Sequence, residues 1–446
     1  MTQGKKHRLL KSVDGNSIVL PFILVTCCFA LWGFANDITN PMVKAFSKIF
    51  RMSVTDGTLV QVAFYGGYFC MAVPAAMFIR RHSYKSGILL GLALYAIGVL
   101  LFIPARATGT FAPFLVAYFI LTCGLSFLET TANPYILQMG DRETATRRLT
   151  LAQSFNPIGS LAGMFVAMNF IQARLSPLDT AQRALLDDAQ FEALKQSDLA
   201  VLIRPYVFIG IVLVVMLVLM LLVRFPRVQH HSASTGASFL PAVRRLLHNR
   251  PYRGGVIAQF FYVGAQITCW TFIIQYGTRV FTAEGMSEQA AEVLSQQLNI
   301  IAMMCFCLLR FVNIYLMKYF KPSRLLAVFA AIAIVLLCGT IFIGGRTGIY
   351  CLVAVSACMS LMFPTIYGLA LDDVGEDTEV GSAGLIMAIL GGSLLPAVQA
   401  IIIDGNGLGT GLPSVNISFI VPMLCFAIVL IYALNVHNTL KQRQHD

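Results

Sequence analysis

Twelve apolar stretches, most of them roughly 18 to 25 residues long, follow one another along the chain, and no other feature restricts the fold as much. A helix of that length crosses about 30 Å of hydrocarbon. The stretches lie at roughly 18–45, 56–79, 87–105, 111–139, 149–171, 201–223, 254–281, 289–317, 324–343, 348–371, 380–404 and 415–437. Hydrophobic residues make up 57% of the chain and charged ones 12%, so water is not the solvent for most of it. The expected class is an all-α membrane protein with 12 transmembrane helices.

The net charge of +11 raises the question of nucleic acid, which the placement of the basic residues answers. They lie between the apolar stretches, and no nucleic-acid-binding signature accompanies them. The termini and even-numbered connections, with their flanking span ends, hold 21 Lys and Arg, the odd-numbered ones 10, and Arg310 lies inside a span. Both termini are therefore expected in the cytoplasm. Residues 1–17 form a basic cytoplasmic tail, and the long apolar run after them reads as a retained helix rather than a signal peptide. Residues 438–446 form the second tail. Between spans ten and eleven, Asp372, Asp373, Glu376, Asp377 and Glu379 read as a solvated turn in preference to a gating ion pair.

Residues 224–253 include a Ser/Gly-rich stretch and read as a cytoplasmic linker between six-helix bundles at 18–223 and 254–437. The halves echo one another. Basic connections follow spans two and eight, Pro134 and Pro364 are placed at the ends of spans four and ten, and Trp32-x-Phe34 recurs as Trp270-x-Phe272. Two pseudo-symmetric bundles related by an axis along the membrane normal fit this pattern, as in the major facilitator superfamily fold. Residues 172–199 are expected outside the membrane as a short surface helix or loop.

The seven histidines lie in loops or tails, and the eleven cysteines have no zinc or redox spacing. No metal, haem or other cofactor is expected, nor any catalytic triad or phosphate loop, so the chain does not read as an enzyme. A proton carried through the membrane then needs a carboxylate. Glu129 is the foremost candidate, because an acid at a helix centre costs about 2.5–3.5 kcal/mol to insert and belongs in a wet cavity or beside a partner. Asp37 is the second, in Asn36-Asp37-Ile38-Thr39-Asn40, where Asn36, Asp37 and Asn40 share a helical face that could line a pore; the competing reading is a polar helix end.

Amides supply most other polar groups within the spans: Asn133, Gln153, Asn156, Gln259, Gln266 and Gln275. An amide donates and accepts, as a hydroxyl does, so this set suits a neutral polyol better than an ion. Trp270 offers a flat face to a sugar ring. Arg310 is expected to hold an acid's charge or a main-chain carbonyl, and Gly66-Gly67 and Gly391-Gly392 to permit close helix approach.

At these residues the chain resembles the L-fucose:proton symporter family. The resemblance rests on Ala63-Phe64-Tyr65-Gly66-Gly67-Tyr68-Phe69, Leu128-Glu129-Thr130 with Ala132-Asn133-Pro134, Leu151-Ala152-Gln153-Ser154-Phe155-Asn156 and Ala258-Gln259-Phe260-Phe261-Tyr262-Val263-Gly264-Ala265-Gln266. It implies that Glu129 serves in sugar recognition and coupling, and that Gln153 and Asn156 face the central cavity. Tyr262, in the last of these segments, joins the sugar-binding candidates. The resemblance further implies import of L-fucose or a related monosaccharide with a proton by alternating access, in a bacterial inner membrane, with the monomer as the functional unit.

In that family the first-helix acid falls at the position of Asn40, and an asparagine falls at that of Asp37. Either Asp37 has taken over one turn earlier, or coupling rests on Glu129 alone or on another ion. A glucose or galactose carrier of the same family is the nearest alternative. An exporter of hydrophobic compounds fits the amide-rich spans poorly, and a membrane sensor would need a soluble domain.

Overall fold

A computed structural model describes residues 18–442 apart from 40–41, 53–58, 177, 179–181, 184, 224, 226–238 and 405–410. The described secondary structure is helical throughout. Among the described residues, twelve helical segments are long and apolar enough to cross a membrane: α1 Val19–Thr39, α2 Val62–Arg81, α3 Tyr84–Thr108, α4 Ala112–Gln138, α5 Arg142–Ile171, α6 Asp188–Leu222, α7 Arg250–Ala283, α8 Val293–Leu316, α9 Pro322–Ile343, α10 Gly345–Leu371, α11 Gly375–Ile403 and α12 Ser414–Asn438. Large apolar side chains stand exposed on them, among them Phe208, Val335 and Ile401 at 68–70% of their full area. Lipid suits such a surface and water does not.

Polar residues start the helices where the first N–H groups lack partners. Ser83 accepts from the Ser86 N–H at 3.1 Å, Asp187 from that of Gln190 at 2.7 Å and Asn249 from that of Tyr252 at 3.1 Å.

Several boundaries differ from the sequence-based expectation. The Asp187 cap starts α6 at Asp188, so about half of the segment expected outside the membrane extends that helix. Asp198, on this extension, is buried against Arg183 at 2.5 Å and accepts from the Ser176 N–H at 2.9 Å. Within the expected linker, Phe239–His248 forms a helix with Ala242 and Leu246 buried, and α7 begins at Arg250. Pro134 and Pro364 do not end helices: α4 continues to Gln138, and Pro364 lies early in the second part of α10, Met362–Leu371. Proline fits there because a helix's first turn has unpaired N–H groups in any case.

The chain divides into two compact units. The first comprises residues 10–141 and 155–235, the second residues 142–154 and 236–446. The dividing point inside α5 falls at Ser154, between the helical pieces Ala145–Gln153 and Phe155–Val166.

Within the first unit, glycines let main chains touch. A Cβ at Gly159 would overlap the Ala30 carbonyl, and one at Gly33 the Asn156 carbonyl, so α1 and α5 lie against each other without intervening side chains. Gly67 approaches α4, where an added Cβ would stand 2.8 Å from the Thr122 Cβ. Its neighbour Gly66 faces open space, contrary to the expectation for the pair. In the second unit Gly391 packs against the Phe260 carbonyl and Gly392 against Val263 and Ile267.

Gly159→Ala should therefore lower the Tm of the purified protein and shift it toward aggregates, by about 1–3 kcal/mol of overpacking. Gly66→Ala should leave both unchanged. Thermal unfolding and size-exclusion profiles in detergent compare the two.

Candidate functional site

In the first unit the site is built around α4. Every residue from Leu121 to Ile136 is buried, so the helix is enclosed on all sides and Glu129 has no route to lipid. Glu129 is fully buried, and neither carboxylate oxygen has a hydrogen-bond partner. Pro134 has no N–H to offer the Thr130 carbonyl four residues back, which loosens the ladder one turn beyond the acid. Asn133, also buried, donates its Nδ2 to the Glu129 carbonyl at 3.0 Å and reinforces that turn.

Tyr68 of α2 faces the Glu129 carboxyl and the Trp32 indole closely enough to interact with both. Yet the phenol oxygen and the indole Nε1 are, like the carboxylate oxygens, buried without a completed hydrogen bond.

Asp37 lies in the last turn of α1 and is half-buried, with Tyr65 of α2 within electrostatic reach. The helix runs past Ala35 to Thr39, so Asp37 is part of the helix rather than a residue beyond its end. The half-buried Asn36 keeps an enclosed Oδ1 without a partner. Asn40 lies outside the described residues. Asn156 of α5 is half-buried and donates to the Phe29 carbonyl at 3.3 Å, beside the Gly33 and Gly159 contacts that draw these helices together.

The second unit holds the remaining candidates. Gln259 of α7 is fully buried with both amide atoms unpartnered. Gln266 is half-buried on the same helix. Tyr262 is committed, since its hydroxyl donates to the Met359 carbonyl at 3.0 Å and ties α7 to α10. Trp270 donates its indole N–H to the Ser356 hydroxyl at 3.1 Å and meets Phe306 edge-on at 5.0 Å. Its ring is packed, though only in part buried.

Arg310 holds main-chain carbonyls rather than an acid. It donates to the Ser360 carbonyl at 2.9 Å and to the Gln153 carbonyl, while its guanidinium lies 4.6 Å from the centroid of Phe306. Both acceptors have the same origin. The residue four beyond Gln153 is Pro157 and the residue four beyond Ser360 is Pro364, so neither carbonyl can receive the usual helical N–H. One planar fork fills two gaps that two prolines open.

The acidic connection before α11 is likewise paired, not merely solvated. Arg142 reaches Asp372 at 2.9 Å and Asp373 at 2.7 Å, and Arg245 holds Asp377 through two bonds at 2.8 and 2.7 Å. The Asp377 carboxylate raises the pKa of the Arg245 guanidinium above its ordinary value.

Sequence reasoning missed Tyr65 and Tyr68 as site residues. Their signal was present: two phenols three residues apart on one helical face, around a glycine pair, in a span otherwise almost wholly apolar.

Twelve spans, with a buried acid in the first unit and a buried amide in the second, suit a membrane carrier. The sequence profile of the Major Facilitator Superfamily matches residues 25–398. The chain belongs to this superfamily. It is 50% identical to the L-fucose-proton symporter of Haemophilus influenzae, over 95% of this chain and 98% of that protein. Identity to the L-fucose-proton symporter of Escherichia coli is 34% over 97% of each chain. A glucose/galactose transporter of Brucella abortus is 31% identical over 92% of each. The crystal structure of the superfamily transporter FucP in the outward conformation superposes with a TM-score of 0.84 at 33% identity, covering 94% of this chain and 99% of that one. The protein is thus a multi-pass membrane transporter and not an enzyme.

Removing the Arg310 side chain should orphan two buried carbonyls, at a cost on the order of 2–4 kcal/mol. Arg310→Lys, whose point charge cannot serve two diverging acceptors as well, should fall between wild type and Arg310→Ala. Ranked thermal melts check the order, and equal melts for all three would remove Arg310 from this role.

Proposed function

We propose that this protein imports L-fucose, or a monosaccharide closely related to it, together with a proton by alternating access. The observation that carries the reading is Glu129: a fully buried carboxyl with both oxygens uncommitted, the one acid on a helix buried throughout its middle. Such a group is costly to keep unless it binds something, and a proton and a hydroxyl are what a carboxyl binds. Protonation removes a charge that would otherwise stay buried when the cavity closes, so the loaded carrier closes more readily than one holding either ligand alone. The 50% identity to an L-fucose-proton symporter supports the substrate.

Asp37 is the second proton site in this reading, with Asn36, Asn133, Asn156, Gln259 and Gln266 offering hydrogen bonds to the sugar. Gln153, Tyr262 and Trp270 are further sugar-binding candidates. Tyr262 and Trp270 serve chiefly by shape, because their polar atoms are engaged. Asn40 is proposed as a neutral member of the group. The host membrane is a bacterial inner membrane with both termini cytoplasmic, in keeping with the excess of Lys and Arg at the termini and even-numbered connections.

In proteoliposomes, L-fucose should drive alkalinisation of the outer medium, and sugar entry without proton movement would refute symport. Glu129→Gln should abolish accumulation. Asp37→Asn should impair proton-driven uptake while leaving counterflow largely intact, and an unaffected variant would take Asp37 out of coupling. A panel of competing sugars separates L-fucose from glucose and galactose, which the resemblance to the Brucella transporter makes the comparison to run.

A further inference from the structure

Four side-chain polar atoms of the first unit are buried without a completed hydrogen bond, the Trp32 Nε1, the Tyr68 hydroxyl and both oxygens of Glu129, and Tyr68 is within reach of the other two residues. All three residues are buried, at 8%, 5% and 0% exposure. Their positions are held by contacts that do not involve those atoms. Gly67 brings α2 against Thr122 of α4, and the Ser126 hydroxyl donates to the Tyr68 carbonyl at 3.1 Å, which sets Tyr68 level with the acid. The Tyr68 ring packs on Phe64 at 5.6 Å, the Trp32 ring on Phe29 at 5.6 Å. Beside Trp32, the Tyr95 hydroxyl donates to the Leu31 carbonyl at 3.0 Å and fixes α1 to α3.

The chemistry of the three groups leaves one consistent arrangement. An indole N–H only donates, an ionised carboxylate only accepts, and a phenol does both. We propose that Trp32, Tyr68 and Glu129 form a directional hydrogen-bond chain, indole N–H to phenol oxygen and phenol O–H to carboxylate, in which Tyr68 is the positioning residue that distinguishes ionised from protonated Glu129. This rests on the reading of Glu129 as the coupling acid.

When Glu129 takes a proton, its own O–H becomes a donor. The Tyr68 oxygen can accept it beside the Trp32 bond, and the phenol O–H is released to turn elsewhere. The phenol keeps its proton throughout, and the transported proton resides only on the carboxyl. A sugar hydroxyl arriving at protonated Glu129 therefore meets a free phenol donor that the ionised acid would have held. Among the described residues, the other titratable groups within reach of Tyr68 are Tyr65 on α2, itself in electrostatic reach of Asp37 on α1, and Tyr95 on α3, whose hydroxyl is already bonded.

The test reads the carboxyl directly. Infrared difference spectra of the full-length transporter, recorded against pH, should show a protonated-carboxyl stretch that is absent in Glu129→Gln. Tyr68→Phe removes a donor to the charged form and should move the midpoint of that band to higher pH by about one to two units. Trp32→Phe, one bond further away, should move it in the same direction by less, and serves alone if Tyr68→Phe does not fold. An unchanged or lowered midpoint in either folded variant overturns the chain. The coupling reading fails separately: if Glu129→Gln still accumulates sugar with protons, Glu129 is not the carrier, whatever Tyr68→Phe does to the band.

Discussion

Hydrocarbon offers no hydrogen bonds, so each main-chain carbonyl inside the spans must find its partner within the protein, and the rest of the structure follows from how that demand is met. Regular helices meet it through their own ladder. The exceptions arise at prolines, where the N–H is missing four residues beyond a carbonyl. Pro157 and Pro364 leave the Gln153 and Ser360 carbonyls to Arg310, and Pro134 leaves that of Thr130 next to the candidate acid. A cation deep in a span, which looks like a counter-ion, is thereby explained by main-chain need. Its charge is spread over two carbonyl dipoles and the face of Phe306.

The same accounting separates groups that hold the fold from groups that remain free to bind. Trp270, Tyr262 and Arg310 are polar and within spans, yet each is engaged with a hydroxyl or a carbonyl. Glu129 and Gln259 are fully enclosed, yet their side-chain polar atoms have no completed hydrogen bond. A buried polar atom without a partner is costly, and natural proteins retain few. That cost, borne by an acid in one unit and by an amide in the other, singles them out as the candidate binding groups more sharply than residue type alone.

The fold was legible because the apolar runs repeat with the length that a bilayer imposes, and a run of that kind has few alternatives to a helix. Boundaries were less legible where the deciding residue is a cap. Asp187 and Asn249 start α6 and α7 well into polar sequence, where hydropathy has no signal. Glu129 could be read from a single sequence because its cost is intrinsic. The role of Arg310 could not, since it depends on main-chain carbonyls 50 and 157 residues away in the chain, Ser360 and Gln153, coming within its reach. Nor could Tyr68, whose importance lies in what stands opposite it.

The two phenols of α2 bear on the exchange of the first-helix acid. Residues three apart on a helix lie about 4.5 Å apart along its axis on nearly the same face, and Asp37 lies in the last turn of α1. Tyr65 and Tyr68 repeat that spacing on α2, with Tyr65 in electrostatic reach of Asp37 and Tyr68 of Glu129. Each carboxyl is thus matched by a phenol on the same neighbouring helix. In the proposed reading an acid at Asp37 therefore has a phenol donor at hand on α2, so a first-helix proton site at that position asks for no further change in the neighbouring helix.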